Sequence, residues 1–213
     1  MSKKIKYRTI SRSSDILIVE KKSRFIGNAF PVSSEEEALE RLSEIKKKYP
    51  DARHHVYAYV IDENNIFRYT DDGEPSGTAG MPVLDTIRKS DIVDVLVVVT
   101  RYFGGTLLGT GGLVHAYSRA AGEALKMAEI VNRSLCSIVS VRCSYNISGK
   151  LQHMITNGGY ILKDAVYDDA VTLYACCETE NTERFIDEIT DASNAGAKCS
   201  VLGNEYIDIS ADL

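Results

Sequence analysis

Apolar and polar residues along the 213-residue chain repeat at two spacings, one fitting strands and the other helices. Short apolar runs at 16–19 and 25–30 predict two strands. Leu39, Leu42 and Ile45 then recur at three-residue spacing behind a capping Ser33 or Ser34. Glu35, Glu36 and Glu37 in the first turn and Lys46, Lys47 and Lys48 in the last suit the helix dipole, and Pro50 ends the helix. Residues 54–61 and 66–70 predict a hairpin pair around 62–65. There follow a polar, glycine-rich loop over 71–80, a short helix opened by Pro82, a buried strand over 92–100, a glycine-rich turn and a long helix from about 113 to 129. The remainder predicts strand 135–143, helix 149–157, strands 160–166 and 171–178, helix 182–191 and strand 198–209. Gly158 and Gly159 stop a helix there, and Asp168 and Asp169 make the hairpin turn. Thr182 is the expected N-cap of the last helix, with Phe185, Ile186 and Ile189 on its buried face. This β-α-β-β-α-β order is the split βαβ, or ferredoxin-like, arrangement.

Composition narrows the class. Hydrophobic residues make up 44% and charged residues 26%, values of an ordinary globular chain that exclude collagen-like and disordered readings. The 92–100 run falls far short of the roughly 20 apolar residues of a membrane span. No apolar core follows the basic N-terminus, so no export signal is read and a cytoplasmic protein without a membrane partner is expected. Five cysteines, an odd number with no C-x-x-C pair, predict reduced core thiols rather than disulfides or a zinc site. Charge divides the chain. Residues 1–133 hold 20 Lys and Arg against 18 Asp and Glu, whereas residues 134–213 hold 5 against 12. We therefore read two domains, 1–133 and 134–213, the second too acidic for a non-specific nucleic-acid binder.

Candidate chemistry concentrates in the first domain. Five glycines lie between Gly104 and Gly112, after an apolar strand and before an alanine-rich helix. Gly104, Gly105, Gly109, Gly111 and Gly112, with Thr106 and Thr110, could expose backbone N–H groups to an anion at a helix N-terminus. The turn matches neither a P-loop nor the dinucleotide fingerprint. Close helix packing is the alternative reason for its glycines. Arg101 could add a two-pronged guanidinium clamp, or instead pair with Asp71, Asp72 or Glu74. The loop holding Asp71, Asp72, Glu74, Ser76 and Thr78 could hold a cation or supply a base, or merely form turns and cap a helix. His54 and His55 are adjacent on a strand and point to opposite faces, so at most one reaches a shared site. No nucleophile elbow or zinc-protease motif is present in the sequence, and neither a bound metal nor a cofactor is expected.

The segments Asp71-Asp-Gly-Glu-Pro-Ser-Gly-Thr-Ala-Gly-Met-Pro-Val83 and Arg101-Tyr-Phe-Gly-Gly-Thr-Leu-Leu-Gly-Thr-Gly-Gly-Leu113, with Ala52-Arg-His-His-Val-Tyr-Ala58, resemble the signature of the IMPACT family, in its bacterial YigZ/YvyE-like branch. The resemblance implies an α+β fold of two domains. The first would be an α/β sandwich like ribosomal protein S5 domain 2, the second a ferredoxin-like βαββαβ unit similar to domain V of elongation factor G. It also implies an association with translation, since eukaryotic members regulate it, although they carry an extra RWD domain. The expectation is a binding protein, rather than an enzyme, that contacts RNA, the ribosome or a translation factor through a groove formed by the residues above. The alternatives are an enzyme of hydrolase or phosphoryl-group chemistry on a small anionic or peptide substrate, and a protein-interaction adaptor. The oligomeric state is not readable from sequence.

Overall fold

The computed structural model describes residues 4–209. The chain forms two compact units, one reaching Asn132 and taking in Ile209, the other spanning Arg133–Asp208. The architecture is α+β with two domains.

In the first unit, β1 (Lys6–Ile10) precedes β2 (Ser14–Glu20), β3 (Ser23–Pro31), α1 (Glu35–Lys48), β4 (His54–Ile61), β5 (Ile66–Thr70), α2 (Gly80–Lys89), β6 (Val95–Tyr102) and α3 (Gly109–Met127). The sheet order is β2-β3-β6-β4-β5, with antiparallel neighbours throughout. Strand alternation gives β6 two apolar faces. Val95, Val97 and Val99 pack with Val83, Leu84 and Ile87 of α2 and Ala116, Tyr117, Ala120 and Ala124 of α3. Leu96 and Val98 pack with Ala38, Leu42 and Ile45 of α1. The result is a sheet covered on both sides.

Several boundaries differ from the expectation, each for a local reason. Ser34 is the N-cap of α1, its side chain accepting from the Glu37 N–H, but Ala38 takes the buried position expected of Leu39, which is 47% exposed. The spacing 38, 42, 45 follows the helical repeat better than 39, 42, 45. Pro82 does not open α2, because Asp71 Oδ1 accepts the N–H groups of Ala79 (3.0 Å) and Gly80 (2.8 Å) and starts the helix two residues earlier. Pro82 lies in that first turn, where its missing N–H is no loss. Strand β6 begins at Val95 because Asp94 adopts a left-handed φ of 57°. Its carboxylate accepts the Asp62 N–H at 2.9 Å. Helix α3 begins at Gly109, four residues earlier than expected, despite the poor helix propensity of glycine. Leu113, Ala116 and Tyr117, buried one turn later, supply the packing that overrides it.

The chain continues with β7 (Ile130–Cys143), α4 (Tyr145–Asn157), β8 (Ile161–Tyr167), β9 (Val171–Glu178), α5 (Thr182–Ser193) and β10 (Lys198–Ile209), which supply the second unit. Four of the five strands of the second sheet run β10-β7-β9-β8, the ferredoxin-like order. Strand β7 starts before the expected 135, and α4 before 149. Leu151, Ile155, Phe185 and Ile189 of the two helices pack on Val139, Val141, Leu173 and Ala175. Asn181, not Thr182, is the N-cap of α5, and the Thr182 hydroxyl lies 2.8 Å from Ser137 Oγ. All five cysteines are free thiols, with Cys199 the least buried. Burial raises all five thiols above the ordinary range.

Gly27 of β3 sets how closely α3 approaches the sheet. A Cβ there would stand 2.8 Å from the Ala120 carbonyl oxygen and 3.3 Å from Ala124 Cβ. Gly27→Ala should destabilise the protein by about 1–3 kcal/mol through overpacking, read as a lower urea midpoint at unchanged slope.

Candidate functional site

Arg101 lies near the end of β6, on the face that α3 covers, opposite Phe25 of β3 and His54 of β4 in the register. Its guanidinium is buried and donates from Nη1 to Glu74 Oε1 at 2.6 Å. The Tyr117 hydroxyl of α3 donates to the same oxygen at 2.8 Å, and His54 Nε2 stands 3.9 Å from it. Arg101 Nη2 reaches Ser23 Oγ at 3.5 Å, and the guanidinium carbon lies 5.3 Å from the Phe25 ring centre and 5.7 Å from that of Phe103. Arg101 Nε is buried with no partner among the described residues. Burial, then the Glu74 charge, pushes the Tyr117 phenol far above its usual range, so it stays a donor.

Beside this network lies a cleft of about 460 Å³. Arg53, His54, Glu74 and Arg101 give it polar lining, Phe103, Leu107, Leu108 and Leu113 apolar lining, and Gly73, Pro75, Gly109 and Thr110 complete it. Phe103 is 46% exposed and Leu107 83%. His54 is oriented from behind, its Nδ1 lying 2.7 Å from the Asp72 carbonyl oxygen. That carbonyl can only accept, so Nδ1 carries the proton and Nε2 is the atom turned towards Glu74.

The glycines of the turn divide by physical cause. Gly104 is required for packing, since a Cβ there would stand 2.0 Å from the Lys22 carbonyl carbon, and its N–H donates to Ser23 Oγ at 3.2 Å. Gly105 and Gly109 have φ of +83° and +75°, which disfavour any side chain. Gly112 is tight against Leu108 Cβ at 3.0 Å. Gly111 has neither reason, because its Cβ would meet nothing within 4 Å and its φ is not positive. Leu108, the N-cap of α3, makes no capping hydrogen bond, and no acidic residue lies in the first turn. By contrast, Ser34 and three glutamates serve α1, and Asp71 serves α2.

Of the residues expected to share one groove, Arg101, His54, Glu74, Gly109 and Thr110 meet at the cleft. Others do not. His55 points to the opposite face, where its Nε2 lies 3.0 Å from the Tyr49 carbonyl oxygen. Asp71 is consumed by the N–H groups of Gly77, Ala79 and Gly80. Asp72 Oδ2 accepts the His55 N–H at 2.6 Å. Thr78 is buried with its hydroxyl on the Pro75 carbonyl. Ser76 and Thr106 are exposed and do not line the cleft. Arg101 is an ion-paired strut, not an open clamp, because Glu74 already occupies one prong. Sequence reasoning missed Arg53, Phe103 and Tyr117. Arg53 adjoins the histidine pair and Phe103 lies two residues past Arg101, but nothing in the spacing of Tyr117 pointed to Glu74.

Comparison with known proteins is consistent along the chain. A model of the Impact N-terminal domain matches residues 21–125, and one of a domain of unknown function, DUF1949, matches residues 141–195. IMPACT family member YvyE of Bacillus subtilis is 39% identical over 189 residues, 88% of this chain and 87% of that protein. IMPACT family member YigZ of Escherichia coli is 37% identical over 139 residues, 63% of this chain and 68% of that protein. A protein IMPACT homolog of Dictyostelium discoideum is 37% identical over 127 residues, 57% of this chain and 36% of that protein. A solved structure described as a hypothetical protein superposes with a TM-score of 0.60 at 27% identity, over 95% of this chain and 100% of that one.

Two stability measurements test the network. Glu74→Ala leaves Arg101 buried without its counter-charge and should cost about 3–5 kcal/mol in urea unfolding. Burial pushes the His55 imidazole below its ordinary value, despite its bond to the Tyr49 carbonyl. The unfolded chain then takes a proton that the native state resists, so this contribution is complete above about pH 6.5 and is lost as pH falls. His55→Gln should flatten the decline in unfolding free energy between about pH 7 and pH 5.

Proposed function

This chain belongs to the IMPACT family, and on that premise we propose that it is a cytoplasmic, translation-associated binding protein that contacts RNA through the cleft of its first domain. The cleft itself carries the reading, since it combines the uncapped first turn of α3, a solvent-exposed Arg53 and an exposed aromatic ring at Phe103. Helix N–H groups and a guanidinium favour phosphate oxygens. An exposed aromatic beside them favours an unpaired base. No helix among the described residues is long and apolar enough to cross a membrane. The family resemblance supports translation as the setting. The acidic second domain, with 5 basic against 12 acidic residues over 134–213, favours a local contact over broad coating of RNA.

The carboxylates that hydrolase or metal chemistry would need are already engaged, Asp71 on three amides, Asp72 on one and Glu74 on Arg101 and Tyr117. That engagement favours binding over catalysis.

Fluorescence anisotropy with a short, labelled single-stranded RNA tests the proposal. Binding should weaken with salt, with a logarithmic slope of about −0.7 to −1.4 for one or two neutralised phosphates of a single strand. Arg53→Ala should lower that slope. Gly111→Ala should raise the melting temperature by about 1–4 °C, as a helix-compatible glycine replacement, yet weaken RNA binding. Salt-insensitive or undetectable association would overturn the proposal.

A further inference from the structure

The cleft has the size and chemistry of a site for a single unit rather than for a length of strand. Its volume of about 460 Å³ lies in the lower half of the range of small-molecule pockets, about 300–1,000 Å³. The lining offers both kinds of group a nucleotide would need. Cationic and N–H donors come from Arg53 and the α3 start at Gly109 and Thr110, and apolar surface from Phe103, Leu107 and Leu108.

Two observations beyond the helix terminus point to a ligand. Arg101 lines the cleft, is only 6% exposed, and keeps a buried Nε with no partner among the described residues, a donor that the described chain leaves unsatisfied. Gly111 adjoins the cleft-lining Thr110, and neither packing nor backbone conformation explains why it lacks a side chain. A glycine inside a helix costs roughly 1 kcal/mol relative to alanine, and close approach of another molecule to the backbone is a remaining reason for one.

Phe103 offers exposed aromatic surface beside Arg101. Arg101 stands 5.7 Å from its ring centre, while 46% of the residue remains open to solvent. Glu74 does not repel an incoming phosphate as a bare carboxylate would, because Arg101 and Tyr117 both donate to its Oε1.

We infer that the cleft is a binding site for one phosphorylated nucleotide unit, its phosphate on the first turn of α3 and Arg53 and its base against Phe103. This rests on the RNA-contact reading above and narrows it. The same chemistry is offered by a free nucleoside monophosphate and by the 5′-phosphorylated end of an RNA chain.

Isothermal titration of the full chain with AMP, adenosine, inorganic phosphate and a 5′-phosphorylated RNA hexamer tests the inference. AMP should bind at least about fivefold more tightly than either adenosine or phosphate, because neither fragment meets both kinds of group. Phe103→Ala lies at an exposed position and should weaken AMP about five- to tenfold while leaving phosphate unchanged. Arg53→Ala should weaken AMP and phosphate alike. Tighter binding of the phosphorylated hexamer than of AMP identifies the chain end as the source, and equal binding identifies the free nucleotide; both support the site. AMP binding no tighter than phosphate, or unmoved by Phe103→Ala, overturns it. Anisotropy of an unphosphorylated RNA that AMP fails to displace overturns the nucleotide site while leaving the RNA-contact reading intact. Absence of both RNA and AMP binding removes the two together.

Discussion

A guanidinium and a carboxylate removed from water together constrain everything around them. Arg101 and Glu74 meet at 2.6 Å with side chains only 7% and 4% exposed. Neither charge is tolerable there without the other, because the desolvation cost of each is several kcal/mol. The pair therefore ties the loop bearing Glu74 to the end of β6. Tyr117 extends the tie to α3 through the same carboxylate oxygen. Strand end, loop and helix are brought together by one shared acceptor, and the cleft is the space beside it.

This arrangement also explains why several polar groups of the 71–80 loop are unavailable for chemistry. To hold Glu74 inward, the loop must satisfy its own backbone, and it does so with its acidic side chains. Asp71 takes the N–H groups that start α2, and Asp72 takes the N–H of His55. The Asp72 carbonyl then fixes His54 by its ring nitrogen. A cluster of carboxylates that looks reactive in one dimension is mostly scaffolding in three. The groups left open are Arg53, the first turn of α3 and the exposed face of Phe103.

The glycine turn illustrates how one residue type serves unrelated needs. Gly104 is excluded from bearing a side chain by the Lys22 backbone, Gly105 and Gly109 by positive φ, and Gly111 by neither. A run that reads as a single feature in the sequence is three physical situations, separable only when the neighbours and dihedral angles are known.

Periodicity and turn chemistry by themselves determined the strand and helix order from β2 onwards, because burial of alternate or every third to fourth residue is a local requirement, but they did not reveal β1. Strand β10 matches its expected 198–209 span, and β9 its expected 171–178 span. The IMPACT resemblance was legible because its motifs are long and contiguous. Element starts were less legible. Helix α3 begins in glycines that local propensity disfavours, and Asp94 breaks the 92–100 run by a left-handed turn that no apolar count reveals. Alternation required that His54 and His55 face opposite ways, but which one lines the cleft was decided by the register of β4 against Arg101. Whether Arg101 was clamp or strut depended on Glu74, 27 residues away in the chain, and on Tyr117, 43 residues beyond that. Such pairings depend on which distant segments are buried together, a property of the packed chain and of no stretch of it alone.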